Sequence, residues 1–305
     1  MGTSAMRNNL FRGVTTAMIT PFNPDGSLDL EGLKNNTLFQ IEKGVQGLLP
    51  LGTTGESPTL TDSEKELVAR TVIETVRSQN SIVKVMVGVG TNDTQKTIHN
   101  AKLAREWGAD ALLIVTPYYN KPTQEGILAH FQAISESVDL PIIVYNIKSR
   151  TGINIETTTL KKLAQLSSII AVKEASGDIA QVMDVLYQIP EIAVYSGDDN
   201  LTFPMMCLGA QGVISVISNL FPSQVVQMVQ ATLDGDLETA RQMHFKLLPL
   251  FKAAFIETNP APIKYAMNRS GFAAGPVRLP LVEIRPQTKQ IINQVLDTLL
   301  PKEEG

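Results

Sequence analysis

Short apolar runs followed by helical stretches recur eight times along this chain, at intervals of roughly 20–35 residues. No other feature restricts the available folds as much. The runs cover residues 13–20, 47–51, 82–87, 111–115, 141–145, 168–173, 192–195 and 212–216. None alternates apolar with polar residues, so each reads as a strand buried on both faces and therefore parallel to its neighbours. Parallel strands need crossovers, and the stretches at 28–43, 61–78, 93–107, 124–138, 157–166, 181–188 and 203–208 have the spacing of helices. Their punctuation agrees: Asn23-Pro24-Asp25-Gly26 is a turn by residue type, Gly44 suits the position just past a helix end, and Thr61 with Glu64 has capping-box spacing. Eight such units predict an α/β protein, a (β/α)8 barrel, and 305 residues is close to what one barrel uses. A doubly wound sheet is the alternative. It usually carries Gly-x-Gly-x-x-Gly after a strand, and Gly88-Val89-Gly90 is not continued that way.

From residue 221 the pattern is helical only, over 222–233, 237–256, 260–269 and 282–299. No low-complexity linker precedes this part. The expected organisation is a barrel over 7–220 with a C-terminal helical region, 221–305, packed on it. Residues 1–6 read as an expression-tag remnant.

A hydrophobic fraction of 43% with 18% charged residues is enough to bury a large core. The net charge of −4 argues against nucleic-acid and anionic-membrane partners, which call for a basic face. No run of 18 apolar residues is present, and the N-terminus lacks a hydrophobic signal core, so the expectation is a cytoplasmic protein. The one cysteine, Cys207, cannot form an internal disulfide and reads as a packed thiol.

Barrel active sites are assembled at the C-terminal ends of the strands and in the loops that follow. The sixth run, Ser168-Ile-Ile-Ala-Val-Lys173, ends on a lysine where the chain should still be buried. Desolvation lowers the pKa of such an amine and frees it to attack a carbonyl; the bland alternative is a lysine whose head reaches water or pairs with Glu174. The other strand ends supply Thr53, Thr54, Tyr118, Tyr119, Tyr145, Arg150, Gly197 and Ile214. These are hydroxyls and phenols for proton transfer and a guanidinium suited to a carboxylate. Gly52-Thr53-Thr54-Gly55-Glu56-Ser57 lies between a strand and a helix start, where backbone N–H groups and threonine hydroxyls can cradle a small anion. It lacks the Gly-Lys-Ser/Thr ending of a nucleotide loop. His99, His130 and His244 fall on predicted helices, and no His/Asp/Glu cluster has metal-ligand spacing.

Together, Gly52-Thr-Thr-Gly-Glu56, Tyr118-Tyr-Asn-Lys-Pro122, Tyr145-Asn-x-x-x-Arg150-Thr-Gly152, Lys173-Glu-Ala-Ser-Gly177 and Gly212-Val-Ile-Ser215 resemble the pyruvate-dependent class I aldolases, the N-acetylneuraminate lyase family. The resemblance runs from about Gly13 to Leu299 and includes Glu257-Thr-Asn-Pro-Ala-Pro-Ile-Lys264 in the helical tail. It implies a cofactor-free Schiff-base mechanism in which Lys173 forms an imine with pyruvate. The branch that it resembles most condenses pyruvate with L-aspartate 4-semialdehyde. By that resemblance Thr53, Tyr145 and Tyr119 form a proton relay, Tyr119 coming from a neighbouring subunit of a homo-oligomer, dimer or tetramer. Thr54 then holds the pyruvate carboxylate, Arg150 that of the semialdehyde, and the backbone at Gly197 and Ile214 lines the pocket.

Two positions depart from the family pattern. Lys148 stands where proline is common, which leaves the Arg150 turn freer. Members inhibited by lysine use a histidine pair and a glutamate; the matching positions here are Asp62, Lys65 and Lys96, and two ammonium groups repel a cationic effector, so weak or absent lysine inhibition is expected. The alternative within the family is a lyase for N-acetylneuraminate or a 2-keto-3-deoxy sugar acid, against which Arg150 speaks. A catalytically silent barrel that binds a keto acid and a phosphate-handling barrel isomerase are the readings from other classes. The acidic Ser196-Gly-Asp-Asp199 opposes the last.

Overall fold

Every neighbouring strand pair runs parallel, and the eighth strand returns to the first with Val14 opposite Val213. The computed structural model describes residues 9–300, so residues 1–6, read above as a tag remnant, lie outside the described residues. The strands are β1 (Gly13–Ala17), β2 (Gly47–Leu49), β3 (Lys84–Gly88), β4 (Ala111–Val115), β5 (Ile142–Asn146), β6 (Ile169–Glu174), β7 (Ala193–Ser196) and β8 (Gly212–Ser215). They close in chain order, so the fold is the expected (β/α)8 barrel.

The crossover helices are α1 (Leu30–Glu42), α2 (Asp62–Ser78), α3 (Thr94–Trp107), α4 (Gln124–Ser137), the single turn α5 (Lys148–Thr151), α6 (Thr157–Leu163), α7 (Ile179–Gln188) and α8 (Thr202–Cys207). Beyond β8 come α9 (Pro222–Leu233), α10 (Leu237–Ala253), α11 (Ala261–Arg269) and α12 (Pro286–Leu299). No helix among the described residues is long and apolar enough to cross a membrane.

The continuous apolar runs are explained by two cores. Ala17, Leu49, Met86, Leu113, Ile143, Tyr195 and Ile214 fill the barrel interior. Val14, Leu48, Val85, Leu112, Val144, Val172 and Val213 alternate with them and face the helices. Each strand is therefore covered on both faces, as a parallel sheet requires.

Local chemistry sets the boundaries. Thr61 and Glu64 form the capping box that opens α2, and Gly44, at φ 80°, follows the end of α1. The third strand starts two residues later than its apolar run, because Ile82 is 92% exposed. α12 begins at Pro286 rather than 282, since proline lacks the N–H that a first helical residue does not need. The turn α5 has no apolar periodicity to betray it; Gly152, at φ 79°, ends it.

Candidate active site

β6 carries Lys173 to the C-terminal mouth of the barrel, opposite Tyr145 on β5 and Tyr195 on β7. The lysine is 6% exposed, and its Nζ lies 4.1 Å from the centre of the Tyr145 ring. Burial pulls its pKa down to about 8; the Asp198 and Asp199 carboxylates oppose that fall and Arg150 adds to it. About a tenth of the amine is then unprotonated at pH 7, against less than about a thousandth for an exposed lysine. A Cβ at Gly197 would sit 3.0 Å from Lys173 Cε and 2.7 Å from Ala175 Cβ, so glycine is needed for the lysine stem to pass.

Tyr145 is buried, which pushes its phenol pKa up, and its hydroxyl is hydrogen-bonded to the Thr53 side chain. Thr53 belongs to a loop with left-handed backbone at both ends, Leu51 at φ 61° and Glu56 at φ 54°. Gly88 accommodates this loop: a Cβ there would lie 2.3 Å from the Leu51 carbonyl oxygen. Thr54 is 3% exposed, and its Oγ1 accepts a hydrogen bond of 3.0 Å from Asn259 Nδ2.

Thr53, Tyr118, Tyr145, Ile147 and Arg150 line one cavity of about 300 Å³. Arg150 projects from α5, whose flanks are locked to β6: Asn146 Nδ2 donates to Asn154 Oδ1 (2.9 Å) and to the buried Glu174 carboxylate (3.1 Å). Lys148 is exposed and occupies the first position of that turn. Asp62 and Lys65 border the far end of the cavity, where Asp62 is shared by Lys96 at 2.9 Å and Lys65 at 3.6 Å.

Lys173, Tyr145, Thr53 and Arg150 thus gather at one mouth with Gly197 against the lysine. Thr54 lies buried in the same loop as Thr53, and Ile214 lies in the barrel interior. Tyr119 is the exception. It is 88% exposed, at φ 74°, and does not line the cavity of its own chain; its neighbour Tyr118 does. Sequence reasoning missed Asn259 and Asp198. Asn259 lies in the tail motif, and its contact with Thr54 spans 205 residues. Asp198 stood in the sequence as a mark against phosphate, whereas its carboxylate acts electrostatically on Lys173.

The arrangement offers a desolvated amine, a phenol–hydroxyl pair and a guanidinium, which suits imine chemistry on a small keto acid. Residues 10–299 match the model of the dihydrodipicolinate synthetase family. This chain belongs to that family. It is 50% identical to the 4-hydroxy-tetrahydrodipicolinate synthase of Protochlamydia amoebophila (strain UWE25), over 94% of this chain and 96% of that protein. A crystal structure of a dihydrodipicolinate synthase superposes with a TM-score of 0.92 at 48% identity, covering 95% of this chain and 99% of that one. A second solved relative, described as the first monomeric dihydrodipicolinate synthase variant, gives 0.91 at 43% identity, covering 95% and 97% of the two chains.

Proposed function

We propose that this member of the dihydrodipicolinate synthetase family condenses pyruvate with L-aspartate 4-semialdehyde to 4-hydroxy-tetrahydrodipicolinate, a step of lysine and diaminopimelate biosynthesis. The observation that carries the reading is the buried Lys173 amine stacked against Tyr145, whose ring lines one cavity together with Arg150.

Lys173 Nζ attacks C2 of pyruvate, and the carbonyl oxygen leaves as water to give an iminium. Loss of a methyl proton gives the enamine. Its C3 attacks the aldehyde carbon, and the developing alkoxide takes a proton from the Tyr145–Thr53 pair, which Tyr119 of a second copy connects to solvent. The amino group of the semialdehyde part then adds to C2, expels Lys173 as the free amine and closes the ring. One water is released overall. Thr54 holds the pyruvate carboxylate, with the backbone at Gly197 and Ile214 beside it, and Arg150 takes the second carboxylate as a bidentate partner.

Because Tyr119 does not reach its own cavity, the reading includes a homo-oligomer, a dimer or a tetramer, and it includes a cytoplasmic setting. Pyruvate consumption measured with L-aspartate 4-semialdehyde, N-acetylmannosamine and glyceraldehyde tests it. The expected result is turnover with the semialdehyde alone, abolished in Lys173→Ala. Turnover with a sugar aldehyde instead would move the chain to the lyase branch.

A further inference from the structure

The loop that presents Thr53 and Thr54 is not self-supporting. Left-handed backbone at two non-glycine residues, Leu51 and Glu56, persists only where the surroundings over-determine it. Here the surroundings come from the C-terminal helical region. Glu56 Oε1 accepts from Lys264 Nζ at 2.9 Å, and Oε2 accepts from the backbone N–H of Arg278 at 2.9 Å. Lys264 spends its other two protons on the carbonyls of Thr20 (2.9 Å) and Pro276 (2.6 Å). Thr20 in turn donates its hydroxyl to the Gly55 carbonyl at 2.7 Å, so a single buried cluster holds both the loop and the tail.

Asn259 completes this arrangement at the residue nearest the chemistry. A threonine hydroxyl has one proton to give and two lone pairs. Asn259 Nδ2 occupies a lone pair of Thr54, and among the described residues the Thr54 hydroxyl donates to nothing. Asn259 is 4% exposed, and among the described residues its buried Oδ1 has no partner. With Nδ2 facing Thr54, a lone pair of the hydroxyl is taken while its proton stays unpaired among the described residues. The threonine proton is therefore kept for an acceptor that arrives from outside.

We propose that Asn259 is a positioning residue for pyruvate: it donates to Thr54 Oγ1 so that the Thr54 proton meets the substrate carboxylate, while the Lys264–Glu56 pair fixes the loop that presents it. This rests on the pyruvate reading above. Losing one hydrogen bond to a charged group corresponds to about 10- to 100-fold. Asn259→Ala is expected to raise KM for pyruvate by about that factor, with kcat and the KM for the semialdehyde little changed. Asn259→Asp keeps the shape but accepts the threonine proton and adds a charge, so its effect is expected to be larger. The pyruvate concentration that half-saturates the borohydride-trapped adduct on Lys173 should shift in parallel. In a Thr54→Val background, Asn259→Ala should add less than about twofold, because the two side chains act as one unit. An equal loss in both backgrounds, or an unchanged KM for pyruvate in the isosteric Asp variant, overturns the proposal. If the unmodified protein traps no pyruvate at all, the pyruvate reading fails first and the role of Asn259 falls with it, whatever the variants do.

Discussion

Lys173 is both the most useful and the most costly residue of the barrel mouth. Desolvation lowers its pKa from the ordinary 10.5 to about 8, so the folded chain binds fewer protons than the unfolded chain between those values. Two consequences have defined signs. The rate of imine trapping at subsaturating pyruvate should rise with pH and level off above an apparent pKa near 8, as the amine loses its proton. A rate flat from pH 6 to 9 would mean that the amine is already free. Stability should rise from pH 8 to 10.5, and Lys173→Met should remove the penalty, worth on the order of 3 kcal/mol at pH 7. Thermal melting of an inactive but hotter-melting Met variant at pH 7, with the difference gone above pH 10.5, is the expected pair of results. The sequence makes this residue legible because a lysine in a continuous apolar strand is out of place. Tyr145 is legible for the same reason. Asn259 is not, since nothing local distinguishes an asparagine whose partner lies 205 residues away.

Among the elements, the one-sided burial of each helix and the two-sided burial of each strand are written in the periodicity, and all eight strands form where the apolar runs fall. The joints between elements are not written there. α5 is one turn long, and the C-terminal region reaches the loop after β2 through buried ionic and polar contacts that no spacing rule describes. The Lys264–Glu56 pair is the most deeply buried ion pair among the described residues, with the two side chains 2% and 1% exposed. Burial pulls the Lys264 pKa down to about 8 even though Glu56 pushes it up. Lys264→Met strands a carboxylate in that pocket and should lower unfolding free energy by about 3–5 kcal/mol. Glu56→Gln combined with Lys264→Met leaves no buried charge and should recover much of the loss. Denaturant melts of the single and double variants check this; a single variant within about 1 kcal/mol of the unmodified chain would mean that water reaches the pair.

For the whole molecule, barrel closure follows from the repeating units, whereas the meeting of two copies does not follow from any run within one. The resemblance alone assigned Tyr119 to a neighbour, and the folded chain leaves that phenol 88% exposed and outside its own cavity. The arrangement has a consequence that needs no structure of an assembly. Tyr119→Phe should be nearly inactive for want of the relay, and Lys173→Ala fully so for want of the nucleophile. If the phenol crosses a two-fold interface, a mixed dimer of these variants contains one site with both groups and one site with neither. Random reassembly makes half the dimers mixed, so mixing equal amounts after mild dissociation should restore about a quarter of the unmodified activity. Two variants that each act only within their own chain restore nothing on mixing. Recovery would fix the direction of the relay and require an oligomer for catalysis; its absence after demonstrated subunit exchange would return Tyr119 to the surface and leave Tyr118, which already lines the cavity, as the phenol that connects Tyr145 to solvent.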